Sequence, residues 1–103
     1  MAINFEEISF GIVAMSGEAR GLMMEAVQKS KMKLFDEAND LIRQSEDKLI
    51  EAEKKHMDAV VEEAQGIKHE FSILFVHAED QLLTTQTLLL VAREFIELYK
   101  RIE

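Results

Sequence analysis

The chain has 103 residues, the size of one domain, and its 20 acidic against 12 basic residues give a net charge of −8. Phosphate backbones and anionic membrane surfaces are bound by Lys and Arg, so this balance argues against binding to nucleic acid or directly to a membrane. The absence of Cys excludes disulfides, thiolate metal ligands and cysteine nucleophiles. No apolar run has the roughly 20 residues of a membrane span, and the N-terminal residues are acidic rather than basic, so we expect a cytoplasmic protein.

The spacing of apolar residues predicts three long helices in one domain, residues 1–103. Pro is absent, and apolar residues recur at alternating spacings of three and four over about residues 4–30, 34–65 and 68–102. Short connections between helices of this length force neighbouring helices to run antiparallel. The sequence therefore predicts an all-α fold, an antiparallel up-down-up three-helix bundle.

The first two helices each carry one stripe of residues at this spacing. Asn4, followed three residues later by Glu7, resembles a capping box, so the first helix is expected to begin near Asn4. Gly66 is a candidate C-cap for the second helix. The first stripe is Phe5, Ile8, Ile12, Met15, Ala19, Leu22 and Ala26, and the second is Phe35, Ala38, Ile42, Ser45, Leu49, Ala52, His56, Ala59 and Glu63.

The third helix carries two stripes. Its core stripe is Phe71, Phe75, Ala78, Leu82, Thr85, Leu89, Ala92, Ile96 and Tyr99, and its second stripe is Ile73, His77, Asp80, Thr84, Thr87 and Val91. The helix is apolar on several sides, which is typical of a helix that is buried all round. Because a three-helix bundle cannot bury a whole helix, we expect one side to face other subunits, with the second stripe in that interface. The alternative is that the second stripe forms a solvated face.

His77 is the candidate for chemistry on the third helix. A neutral imidazole is both a base and a nucleophile. Asp80, three residues on, shares its helix face and could orient the ring or hold a cation. The pair by itself also fits a surface histidine beside an acid, but the apolar neighbours Phe75 and Val76 favour a functional role.

The other two histidines have weaker claims to a function. His56 follows Glu53 by three residues, and Glu-x-x-His is a metal-ligand unit of helical bundles that use two such copies. With one copy present, we expect His56 to be a packing or hydrogen-bonding residue. A metal-binding bundle built on Glu53 and His56, and a non-catalytic helical adaptor, are the alternative functions. His69 is expected to be exposed at the start of the third helix.

The stretch Leu74–Thr85, LFVHAEDQLLTT, resembles the HAQDHLM region of the enzyme IIA component of the lactose/cellobiose class of the bacterial phosphoenolpyruvate-dependent sugar phosphotransferase system. Residues 16–20 (SGEAR), 35–38 (FDEA) and 62–66 (EEAQG) are similar to that family's SGNARS, F-x-x-A and EA-x-G segments. The resemblance therefore extends over nearly the whole chain.

The resemblance implies a phosphotransferase component that forms a phosphohistidine at His77. The donor would be the histidine-containing phosphocarrier protein and the acceptor the cysteine of a cognate IIB component. This transfer would serve uptake of a lactose/cellobiose-type disaccharide through a IIC membrane transporter. The family forms homotrimers in which the motif aspartate of each subunit holds a divalent metal at the three-fold axis. That role would fall to Asp80, and the expected ion is Mg²⁺.

Four positions depart from the pattern that this family commonly shows. Glu79 stands in place of Gln and Gln81 in place of His, while Glu53 and His56 stand in place of His and Gln on the second helix. A carboxylate at Glu79 close to a phosphohistidine is unfavourable unless it points outward or a cation offsets its charge.

Overall fold

A computed structural model describes residues 3–102 and contains three helices, α1 (Phe5–Lys31), α2 (Phe35–Ala64) and α3 (Ile73–Arg101). They form the predicted up-down-up bundle, a rod 55 Å long and 18 Å across. The bounds of α1 and α2 differ from the predicted bounds by one residue at each end. Within the described residues, none of the helices is long and apolar enough to cross a membrane.

Side chains and backbone geometry fix the helix ends. Asn4 Oδ1 accepts a hydrogen bond from the backbone N–H of Glu7 at 3.0 Å, which confirms the predicted start of α1. Ser72 caps α3 in the same way, accepting a bond from the N–H of Phe75 at 3.1 Å, so α3 begins at Ile73 rather than near residue 68. Gly66 has a φ of +89° directly after α2, the left-handed conformation that commonly ends helices, as predicted.

The core lies between the three helices and is built largely from small and medium apolar side chains. It includes Ile12, Ala19, Met23, Ala26, Ala38, Ile42, Leu49, Ala52, Ala78, Leu82, Leu89, Ala92 and Ile96. Four serines are also buried between the helices, and they are Ser9, Ser16, Ser30 and Ser45. Small side chains at these positions let the helices approach closely.

Two residues of the stripes predicted to form the core are exposed. Phe71 precedes the cap of α3 and is 82% exposed, because the helical spacing does not extend into the connection. Glu63 is exposed, whereas its neighbour Glu62 is buried. Glu62 is buried because the N-terminal segment and the connection before α3, through Ile3 and His69, bond its carboxylate.

A line of three polar bridges links α2 to α3. The bridges are His56–Glu79 at 2.8 Å, Glu53–Gln86 at 2.6 Å and Glu46–Arg93 at 2.9 Å. On α3 the three members are seven residues apart, so they lie on one face of the helix. Polar pairs at this spacing favour one register of α3 against α2.

Candidate functional site

His77 lies in the second turn of α3, on the outer surface of the bundle. The next residue, Ala78, is fully buried, and consecutive helical residues point about 100° apart, so His77 is directed away from the core. Asp80, three residues further, is also exposed, and residues at this spacing are neighbours on a helix surface. The two residues of the predicted site therefore share an accessible patch.

The whole second stripe of α3 is exposed in the single chain. Its apolar members Ile73 and Val91 are 77% and 42% exposed. Further exposed apolar side chains border the stripe, and they are Val76, Leu83, Leu90, Phe95 and Leu98. An apolar surface that extends along most of a helix is typical of an interface with another protein.

The three histidines differ in their bonding. His56 Nε2 lies 2.8 Å from Glu79 Oε2, and His69 Nε2 lies 2.9 Å from Glu62 Oε1. The ring of His77 forms no hydrogen bond or ion pair with any of residues 3–102. An imidazole that is exposed and not engaged in this way can present a ring nitrogen to an incoming group.

The prediction for His69 is wrong. This residue lies in the connection before α3, and only 19% of its side chain is exposed. Its ring stacks on Phe5 with the centroids 4.4 Å apart, because the connection folds back over the ends of α1 and α2. No local signal in the sequence indicates this position, since the partners of His69 lie on two other elements.

Four stacked rings join the elements at this end of the bundle. The order is His69, Phe5, Phe75 and His56, with successive centroid distances of 4.4, 4.5 and 5.9 Å. The rings come from the connection, α1, α3 and α2, respectively. The stack therefore fixes the first turns of α3, which carry His77, against the rest of the bundle.

Glu53 and His56, the candidate metal pair on α2, have other partners in the single chain. Glu53 accepts a hydrogen bond from Gln86, and His56 is bonded to Glu79, so both bind α3 rather than each other. Within residues 3–102 no group of three or more His, Asp or Glu side chains could hold a metal ion. Asp80 offers a hard oxygen ligand of the kind that Mg²⁺ prefers, but one chain supplies one such ligand.

A surface cleft of about 590 Å³ opens beside the first turns of α3. Val76, which precedes His77, forms part of its wall. Its other lining residues include the apolar side chains of Val60, Phe71 and Phe75 and the acidic side chains of Glu63, Glu70 and Glu79. The cleft that Val76 borders is thus lined by both apolar and acidic side chains.

Comparison with known proteins places this geometry in a family. Residues 7–100 match the family model described as "PTS system, Lactose/Cellobiose specific IIA subunit". The chain belongs to this family. It is 35% identical over 102 residues to a lactose-specific EIIA component of the phosphotransferase system from Streptococcus mutans, covering 96% of this chain and 98% of that relative.

Two solved structures of IIA proteins are similar over almost the whole chain. The crystal structure of the cellobiose-specific enzyme IIA from Bacillus anthracis has a TM-score of 0.93 at 35% identity and covers 99% of this chain and 94% of that one. The IIA(chitobiose) of Escherichia coli, solved in complex with HPr, has a TM-score of 0.85 at 30% identity and covers 98% of each chain. These findings confirm the predicted bundle and the resemblance, and they identify the chain as a phosphotransferase system component.

Proposed function

We propose that this IIA-family chain carries a phosphoryl group on His77, between the histidine-containing phosphocarrier protein and the cysteine of a IIB component. The observation that carries the proposal is that His77, at the motif position, is exposed and has no hydrogen bond within residues 3–102, whereas His56 and His69 are each bonded to a glutamate. The reaction would serve uptake of a lactose/cellobiose-type disaccharide. The chain would work in the cytoplasm and meet the membrane only through the IIC transporter.

The transfer needs placement more than acid–base chemistry. The N–P bond of the donor phosphohistidine breaks as a bond forms between phosphorus and the unprotonated ring nitrogen of His77. Each ring keeps the proton on its other nitrogen, so neither proton nor electron is gained or lost. In the second step a cysteine thiolate of the IIB component attacks the same phosphorus, and His77 leaves as the neutral ring.

The exposed surroundings of His77 support this use of two successive partners. Val76 and Leu83 are 43% and 55% exposed, and Val76 also borders a surface cleft. Transient complexes of this kind usually form small interfaces. The relative that was solved with HPr supports the assignment of the donor.

The proposal includes a homotrimer in which α3 of each copy faces the other two. The exposed second stripe and its apolar border supply the surface, and polar side chains within such an interface set its register. Three Asp80 carboxylates would then meet, and their repulsion calls for a cation. Asp80 of each copy would hold the ion, and Mg²⁺ when bound would offset most of the charge of the three carboxylates.

The test of the phosphocarrier function is phosphoryl uptake from phosphoenolpyruvate, enzyme I and the histidine phosphocarrier, followed by intact mass. We expect one phosphoryl group per chain, lost in acid as a phosphoramidate should be. His77→Ala is expected to take up none, while His69→Gln, the matched control, retains uptake. A His77→Ala protein that still gains one group per chain would show that the assignment is wrong. A parent that gains none would favour the adaptor.

A further inference from the structure

We infer that His56 is a positioning residue for the proposed transfer, holding the Glu79 carboxylate against α2 and away from the phosphoryl group on His77. The inference rests on the proposed function of His77. It assigns a role to two residues that depart from the pattern of the family.

Glu79 is placed close to His77 in sequence but is held on another side of α3. At about 100° per residue, side chains two positions apart point about 200° apart around a helix. The Glu79 carboxylate reaches α2, where its Oε2 lies 2.8 Å from His56 Nε2. Since an ionised carboxylate can only accept, the imidazole donates this hydrogen bond.

The ring of His56 is itself held in place. It stacks on Phe75 at a centroid distance of 5.9 Å with an interplanar angle of 13°, and 22% of its side chain is exposed. Phe75 in turn stacks on Phe5 of α1 at 4.5 Å. The donor that orients Glu79 is therefore anchored by aromatic contacts, unlike a long flexible side chain at the surface.

The charge of Glu79 matters once His77 is phosphorylated. A phosphoryl group carries close to two negative charges at neutral pH. A carboxylate freed from α2 is free to turn along the helix surface toward this group, and the repulsion between the two like charges is largest at low ionic strength. The bond to His56 keeps the Glu79 carboxylate turned toward α2 and supplies one of its oxygens with a hydrogen-bond donor.

The two side chains form a matched pair. Glu79 contributes the carboxylate that accepts the hydrogen bond, and His56 contributes the ring that donates it. The structure places these two side chains, 23 residues apart in sequence, in direct contact. Neither residue enters the bond-making step, in which phosphorus moves from the donor nitrogen to the ring nitrogen of His77.

The test is the equilibrium of phosphoryl exchange between the full chain and the histidine phosphocarrier at limiting phosphoenolpyruvate, read by intact mass. We expect His56→Gln to lower the ratio of phosphorylated to free protein by about threefold, because Glu79 is released. Glu79→Gln in the same background is expected to restore the parent ratio. With excess phosphoenolpyruvate all variants reach full uptake.

Arg93→Gln is the matched control. This variant breaks the Glu46–Arg93 bridge, which also links α2 to α3 but lies about 21 Å from Glu79 along the helix. The ratio of phosphorylated to free protein is therefore expected to stay that of the parent. A merely structural His56 would give a different result, since removing Glu79 cannot repair a missing imidazole. Circular dichroism on each variant confirms that the helices are intact.

The outcomes separate the two proposals. If the parent is phosphorylated on His77 but His56→Gln has the parent ratio, or the double variant stays low, this inference is overturned and the phosphocarrier function stands. A loss of equal size in Arg93→Gln overturns it as well. A parent that accepts no phosphoryl group overturns the phosphocarrier function and this inference together.

Discussion

Glu62 bonds both His69 and the N-terminal segment of the chain. Its Oε1 lies 2.9 Å from Nε2 of His69, and its Oε2 accepts a hydrogen bond from the N–H of Ile3 at 2.8 Å. The Glu62 side chain is 9% exposed. A carboxylate buried to this extent is tolerated because its oxygens are bonded, so the end of α2 depends on both partners.

Glu62→Ala is expected to reduce the free energy of unfolding by about 2 kcal/mol, because it leaves the Ile3 N–H and the His69 ring without their acceptor. The measurement is urea unfolding followed by circular dichroism. Glu63→Ala, on the exposed neighbouring residue, is the control and should change stability by less than about 0.5 kcal/mol. Equal effects of the two variants would contradict the role assigned to Glu62.

Ser16→Ala is expected to raise the free energy of unfolding by about 1 kcal/mol, because it removes a buried hydroxyl that has no hydrogen-bond partner among residues 3–102. Ser45 is equally buried, but its Oγ donates to the carbonyl of Ile42 at 2.7 Å. Ser45→Ala therefore serves as the comparison and should be less stable than Ser16→Ala. Thermal unfolding of the three proteins decides the order, and the reverse order would show that Ser16 is satisfied in solution.

Asp80→Leu is expected to stay trimeric and to become insensitive to chelator. In the proposed trimer the substitution replaces three repelling carboxylates by apolar packing, an exchange that is often neutral or stabilising for buried charge. The parent should dissociate in part when chelator is added at neutral pH, since the ion then no longer offsets the repulsion. Sedimentation equilibrium with and without chelator measures the oligomeric state of the parent and of Asp80→Leu.

Thr87→Leu is the matched control for this experiment, because Thr87 lies on the same stripe seven residues further and carries no charge. It should remain as sensitive to chelator as the parent. A parent that sediments as a monomer under all conditions would refute the interface and the metal together. A trimeric parent that ignores chelator would refute the metal alone.

The sequence alone determined the helices and much of what they bury. Asn4 and Gly66 mark helix ends because capping and left-handed backbone are properties of one residue and its near neighbours. The alternating spacing of α3 predicted that Ala78 and Leu82 are buried. The same spacing separated the exposed second stripe with His77 from the core, since helical periodicity assigns each residue to a face.

Only the tertiary structure decided which polar side chains meet. The connection before α3 carries no periodicity, so the sequence extended the helix across it and left His69 on the surface, whereas the fold stacks His69 on Phe5. The His56–Glu79 contact joins residues 23 apart, and the Ile3–Glu62 bond joins residues 59 apart. Such bonds depend on how three helices are placed against one another, and that placement results from packing over the whole core rather than from the spacing of residues along any one helix.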